Sequence, residues 1–172
     1  MSSRSLSLLG IIALAVLLRV WPHPWNFSPI AAMALFSGCH FRSREAAFAV
    51  PLGAMVLSDA FLGFYPSFWL TYGCFALTVL IGTGLKNRRS AAWIAGASVS
   101  ASVLFFLVTN FGVWQLEHLY RHDLAGLAAC YTAGIPFFQG TLAGDLVYTA
   151  VLFGAYRLVE RAFPQIEIAP SI

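Results

Sequence analysis

Two aspartates stand inside apolar sequence and are the first candidates for chemistry. Asp59 lies near the end of the apolar run 46–64, and Asp145 lies inside the run 136–158. A carboxylate within a membrane span costs roughly 3 kcal/mol on insertion scales. We therefore expect a lined cavity, a buried polar contact or a proton route at each aspartate. The alternative is a structural carboxylate that caps a helix or bonds a neighbouring hydroxyl group.

If the two carboxyl groups acted together as a pair, they would indicate an enzyme, namely an intramembrane aspartate-dependent hydrolase. Such a pair needs both carboxyl groups at one depth, so that they can share a proton or a water. Asp145 is expected about 13 Å below the outer end of its helix, whereas Asp59 is expected within about one turn of its own outer end. This difference in depth disfavours catalysis. We predict no enzymatic activity and keep the hydrolase as the alternative.

Asn110 and Cys74 are the next candidates. The Asn110 amide both donates and accepts hydrogen bonds, which suits a polar ligand; a helix C-cap before Gly112 is the alternative. The Cys74 thiolate is a soft ligand for a transition metal held in a cofactor. The alternatives for Cys74 are a small buried side chain or a disulfide with Cys130.

Aromatic side chains gather at the predicted outer ends of the helices. They form either an interfacial aromatic belt or the wall of a pocket for a flat, partly apolar ligand, with Gln139 and Thr141 as polar contacts. His118 and His122 have the i, i+4 spacing of metal ligands, but a solvated loop is the preferred interpretation. The remaining candidate ligand contacts are Asn26, Phe27, Tyr65, Trp69, Tyr72, Trp114, Tyr131 and Phe137.

The composition predicts an integral membrane protein, with the lipid bilayer as its surroundings. Of the 172 residues, 59% are hydrophobic and only 10% are charged, and the mean hydropathy is +0.77. Soluble domains carry about 25% charged residues. The net charge of +3 does not indicate a nucleic-acid partner, because the basic residues lie between apolar runs, as topology signals do.

Six apolar runs predict an all-α domain over residues 1–172 with six transmembrane helices. The segment 124–135 is too short to span and predicts a separate interfacial helix on the outer side. The run 91–113 is rich in Ala and Ser at its start, which permits close helix contact. The predicted spans are 5–21, 28–41, 46–64, 68–85, 91–113 and 136–158.

The basic residues predict the orientation of this bundle. An even number of spans puts both termini on one side, and cytoplasmic segments carry the excess of Lys and Arg. With cytoplasmic termini, only Arg19 and Arg121 of the ten basic residues face outward. The inner residues are then Arg4, Arg42, Arg44, Lys86, Arg88, Arg89, Arg157 and Arg161. The outer loops 21–27, 63–67 and 114–135 are the elaborate ones, so we expect function there.

Several segments resemble those of a bacterial family described only as candidate transport proteins, over residues 25–160. Six short spans with elaborate outer loops also resemble the substrate-binding S components of energy-coupling-factor (ECF) vitamin transporters. The segments that carry the first resemblance are NFSPIAA at 26–32, LSDAFLG at 57–63, FFLVTNFGVW at 105–114, IPFF at 135–138 and GDLVY at 144–148.

The resemblance implies an S-component-like bundle in the bacterial cytoplasmic (inner) membrane that takes part in vitamin uptake. A vitamin-sized ligand would bind between the outer loops and the outer halves of spans 4 to 6. Gly10, Ala13 and Ala15 would meet an ECF transmembrane coupling subunit, which works with ATPases, unless the protein acts alone. The sequence has no P-loop.

Cobalamin is the first candidate ligand that the resemblance suggests, as for solitary cobalamin S components. Some of those proteins ligate cobalt through a cysteine in a region comparable to that of Cys74. Cys74 is thus a predicted metal ligand only as the cobalt ligand of a bound corrinoid, and we expect no cofactor beyond the transported molecule. A small structural membrane protein without a ligand is the third possibility.

Overall fold

The computed structural model describes residues 16–20, 26–65 and 67–162. Every regular element in these ranges is a helix, which confirms the all-α prediction. The helices are α1 (16–20), α2 (Ile30–His40), α3 (Arg44–Leu62), α4 (Phe68–Thr83), α5 (Ala91–Leu116) and α6 (Leu124–Ala162).

Side-chain caps fix where three of the helices begin. The Ser43 hydroxyl accepts from the amide of Ala46 at 3.2 Å at the start of α3. Ser90 caps α5 in the same way, and Asp123 Oδ1 accepts from the Gly126 amide at 2.8 Å in the first turn of α6. Each cap satisfies an amide group that the helix itself leaves without a partner.

The short helix α2 lies at the centre of the bundle. Nine of its eleven residues are buried, and it packs against α3, α4, α5 and α6. Two glycines bring its backbone directly against α4. A Cβ atom on Gly38 would lie 2.1 Å from the Val79 carbonyl oxygen, and one on Gly82 would lie 2.3 Å from the Leu35 carbonyl oxygen. Such small residues let helix backbones approach closely.

The separate interfacial helix predicted over 124–135 is wrong. Residues 124–162 form one helix of 39 residues, with Pro136 inside it. A proline removes one backbone hydrogen bond and can kink a helix without ending it. At 1.5 Å per residue α6 is about 58 Å long, which exceeds the roughly 30 Å of a bilayer's hydrocarbon core.

Two of the described helices, α3 and α5, are long and apolar enough to cross a membrane. In α5, 26 residues long, the buried residues are only Ile94, Ser98, Ala101, Ser102 and Gly112. An apolar helix with so much exposed surface is compatible with a lipid environment. At 11 and 16 residues, α2 and α4 are shorter than the roughly 20 residues of a typical span.

The sidedness of the bundle stays a prediction. Most of the predicted first span, both chain termini and the small residues Gly10, Ala13 and Ala15 lie outside the described residues. The same holds for residues 21–25 of the first outer loop and for Pro66 in the second.

The contact between α2 and α4 predicts that two chemically identical substitutions will differ in effect. Gly38→Ala forces the two helix backbones apart and is expected to lower the free energy of unfolding by about 2 kcal/mol or more. Gly73→Ala on α4 meets no atom within 4 Å and should leave stability unchanged or raise it by up to about 1 kcal/mol. Thermal unfolding of both variants in detergent measures the difference. Equal melting temperatures would contradict the close contact.

Candidate functional site

A cavity of about 500 Å³ opens between the helices, a size typical of small-molecule sites. Every one of the six helices contributes to its wall, as does the segment 26–29 that precedes α2. The lining residues are Arg19, Val20, Asn26, Ser28, Ala31, Met55, Leu62, Tyr65, Thr71, Phe75, Phe105, Thr141 and Asp145.

The segment 26–29 brings polar groups into this wall because a glycine on α6 makes room for it. A Cβ atom on Gly144 would lie 3.0 Å from the Cα atom of Phe27. The Phe27 ring packs on Tyr148, with the ring centroids 5.3 Å apart. Asn26 has a positive φ of 58°, a conformation that asparagine tolerates better than most residues. Asn26 and Ser28 therefore face the same cavity as α6.

A buried ion pair forms one part of the wall. Arg19 Nη1 lies 2.7 Å from Asp59 Oδ1 and also donates to the Ser58 hydroxyl. The Tyr72 hydroxyl donates to the other carboxylate oxygen, Oδ2, at 2.8 Å. Asp59 is only 1% exposed and does not line the cavity, whereas Arg19 does. Asp59 thus holds Arg19 in the wall rather than facing a ligand itself.

The second aspartate faces the cavity directly. Asp145 is 4% exposed and lines the wall, and its Oδ2 accepts from the Ser102 hydroxyl of α5 at 2.6 Å. Among the described residues, no cation lies within ion-pair distance of Asp145. In the described part of the chain, the Asp145 carboxyl group is therefore bonded only to a neutral hydroxyl group.

The two aspartates are not joined by a hydrogen bond. Within the described ranges, each carboxyl group has its own partners. Only Asp145 of the two lines the cavity. Direct sharing of a proton requires contact between the carboxyl groups, and these two groups do not make it; the hydrolase stays the alternative prediction.

A smaller cavity of about 170 Å³ adjoins the first and shares Asn26, Phe105 and Thr141 with it. Asn110 lines this second cavity. Its Nδ2 donates to the Phe106 carbonyl at 2.8 Å, and α5 continues to Leu116, so Asn110 is not the C-cap. The other lining residues are Phe106, Thr109, Val113, Gly134, Phe137 and Phe138.

Of the thirteen predicted ligand contacts, the structure brings five to the two cavities: Asn26, Tyr65, Asn110, Phe137 and Asp145. Tyr65 lies in the loop after α3, where burial raises the pKa of its phenol above the usual range. Its hydroxyl group stays protonated at neutral pH. The cavity thus has a hydroxyl donor at this end.

Several other predicted contacts face away from both cavities. Trp69 is 54% exposed and Gln139 is also exposed, while Thr141, about half a turn further along α6, lines both cavities. Trp114 donates to the Arg121 carbonyl at 2.9 Å, and Tyr131 donates to the Leu107 carbonyl at 2.7 Å. These last two bonds tie α5 to the loop and helix that follow it.

Cys74 is 1% exposed and lines none of the described cavities. The cobalt contact stays a prediction without support from this geometry. Cys74 and Cys130 are free thiols, so the alternative of a disulfide between them is wrong.

His118 and His122 stack with ring centroids 5.6 Å apart. In the described part of the chain, no three metal-ligating side chains cluster.

The contacts of Arg19 and Ser102 in the site were not predicted from the sequence. In the charge pattern Arg19 is a topology signal, and Ser102 is one of several small residues that permit helix contact. A signal for the first was present, because one basic residue at the end of an apolar run and one acid in another predict a buried pair. Ser102 carried no comparable signal, since the serines of its segment look alike until the helices are packed.

Comparison with known proteins gives a family without an activity. A family model described only as a family of unknown function (DUF6580) matches residues 1–166. No curated protein and no solved structure matches the chain.

The buried ion pair predicts that a substitution which removes one of its charges will strongly lower stability. Asp59→Asn leaves the Arg19 charge without its counter-ion and should lower the free energy of unfolding by about 2–4 kcal/mol. The double variant Arg19→Gln/Asp59→Asn should recover part of this loss, since neither charge is then left alone.

The matched control is the exposed pair between Arg121 and Asp123, 3.0 Å apart. Arg121→Gln should cost less than about 0.5 kcal/mol, because exposed pairs contribute little. Denaturant unfolding in detergent gives all the values. If Asp59→Asn proves as mild as Arg121→Gln, the pair does not have the role assigned to it.

Proposed function

The chain belongs to the DUF6580 family of unknown function, and we propose that it is a membrane-embedded protein that binds a small molecule in the cavity between its helices. The observation that carries this proposal is the 500 Å³ cavity with the buried carboxyl group of Asp145 in its wall.

The chemistry of the wall supports a ligand. Apolar side chains such as Met55, Phe75 and Phe105 alternate around the cavity with the polar Thr71 and Thr141. Ligand sites are typically apolar with a few well-placed polar groups.

The surface supports a membrane location. Apolar side chains on α3, α5 and α6 are exposed, among them Phe61, Phe111 and Val151. We infer that these helices face lipid in the bacterial cytoplasmic membrane and that the chain crosses it six times. The central helix α2 is shielded from lipid by its neighbours and does not need to match the bilayer thickness, while α4 is accommodated by tilt or local thinning.

We propose that the bound molecule is taken up and not chemically changed, as in the role of ECF S components. The sequence has no P-loop, so ATP-driven movement would come from partner proteins.

Native mass spectrometry of protein extracted gently from its host membrane tests the proposal. Wild-type protein is expected to carry a bound small molecule. Ala31→Trp places an indole ring in the cavity and should abolish the added mass. Ala133→Trp, at an exposed position of α6, is the matched control and should retain it.

The same measurement can contradict the proposal in two ways. Wild-type protein without any added mass, across gentle extraction conditions that leave it folded, would do so. An added mass that persists in Ala31→Trp would place the molecule outside this cavity.

A further inference from the structure

The charges around the cavity do not balance. The wall holds the Arg19 guanidinium and the Asp145 carboxyl group, and Asp59 lies directly behind Arg19. Arg19 and Asp59 neutralise each other at 2.7 Å. Within the described ranges, Asp145 has a single hydrogen bond, from the neutral Ser102 hydroxyl. With Asp145 ionised, one negative charge in the wall is left without a counter-charge among the described residues.

The groups beside Asp145 are suited to an organic cation. Ser102 and Phe105 are three residues apart on α5 and therefore lie on one face of that helix. The Phe105 ring is consequently on the side of α5 that meets Asp145. It stacks on Phe75 of α4, with ring centroids 5.6 Å apart, and both rings line the cavity. Aromatic faces attract cations, and most strongly where water is excluded.

We propose that the ligand is an organic monocation, a protonated amine with a flat apolar part. Its ammonium group donates to the Asp145 carboxylate, and its apolar part lies against Phe75 and Phe105. This inference rests on the proposed binding function and adds the chemical class of the ligand.

The alternatives are disfavoured by the same arrangement. An anionic ligand would meet the Asp145 carboxylate, while Arg19 is already engaged by Asp59 and Ser58. A neutral ligand would leave the buried carboxylate uncompensated, which is costly in an apolar interior, unless the carboxyl group took up a proton. With Asp145 ionised, a monocation makes the cavity and its wall neutral as a whole.

Equilibrium dialysis against three indole probes tests this class directly. Tryptamine is cationic at neutral pH, tryptophol is neutral and indole-3-acetate is anionic, while the ring system is shared. With the wild-type protein in lipid nanodiscs, tryptamine is expected to bind at least about tenfold more tightly than the other two. Ala31→Trp separates binding in the cavity from partition into lipid, because only the former is lost.

Variants that change the charge of Asp145 test whether this carboxylate causes the preference for the cationic probe. Asp145→Asn should weaken tryptamine binding by about 30-fold, the loss expected for one charged hydrogen-bonded contact. Asp145→Glu keeps the charge and should retain most of the preference, which guards against a folding defect in the first variant. Glu160→Gln removes an exposed carboxylate elsewhere on α6 and should bind tryptamine like wild type.

The outcomes separate this inference from the binding function. If tryptophol or indole-3-acetate binds as well as tryptamine and Ala31→Trp abolishes that binding, the cationic class is wrong and the binding function stands. Tryptamine binding unchanged in a folded Asp145→Asn also overturns the inference. If Ala31→Trp changes the binding of no probe, both the inference and the cavity's function fail.

Discussion

The cost of burying charge in an apolar interior is the constraint on which this structure depends. Moving an ion out of water costs several kcal/mol even after relaxation, so a buried charge needs a partner. Arg19 of α1 and Asp59 of α3 meet this requirement together, and Tyr72 of α4 completes it. One contact therefore joins three helices. Among the described residues, Asp145 has no such counter-charge, and this distinguishes it as the centre of the candidate site.

The packing of α2 explains why the protein has room for a cavity. Gly38 and Gly82 bring α2 directly against α4, so no space remains along that contact. α2 begins at Ile30, and the described residues directly before it, 26–29, are not helical. This non-helical segment packs against α6 at Gly144, and the cavity opens beside the segment. Two features therefore position the site: the close packing of α2 on α4, and the start of α2 only at Ile30.

The parts of the fold that depend on local pattern could be predicted from the sequence. Apolar runs and the caps at Ser43 and Ser90 place α3 and α5. The helix boundary predicted at Pro136 is wrong, because the loss of a single backbone hydrogen bond does not end a helix that continues on both sides of the proline. In the site, buried acids in apolar runs marked Asp59 and Asp145 correctly as unusual. Which of the two faces the cavity depends on tertiary contacts that no spacing reveals.

An experimental structure of the protein, extracted with its native ligand into lipid nanodiscs, tests the proposed site directly. We expect density in the cavity that does not belong to the protein, within hydrogen-bond distance of the Asp145 carboxylate and in contact with Phe105. A cavity filled by the chain's own side chains, with Asp145 bonded only to protein groups, would contradict it.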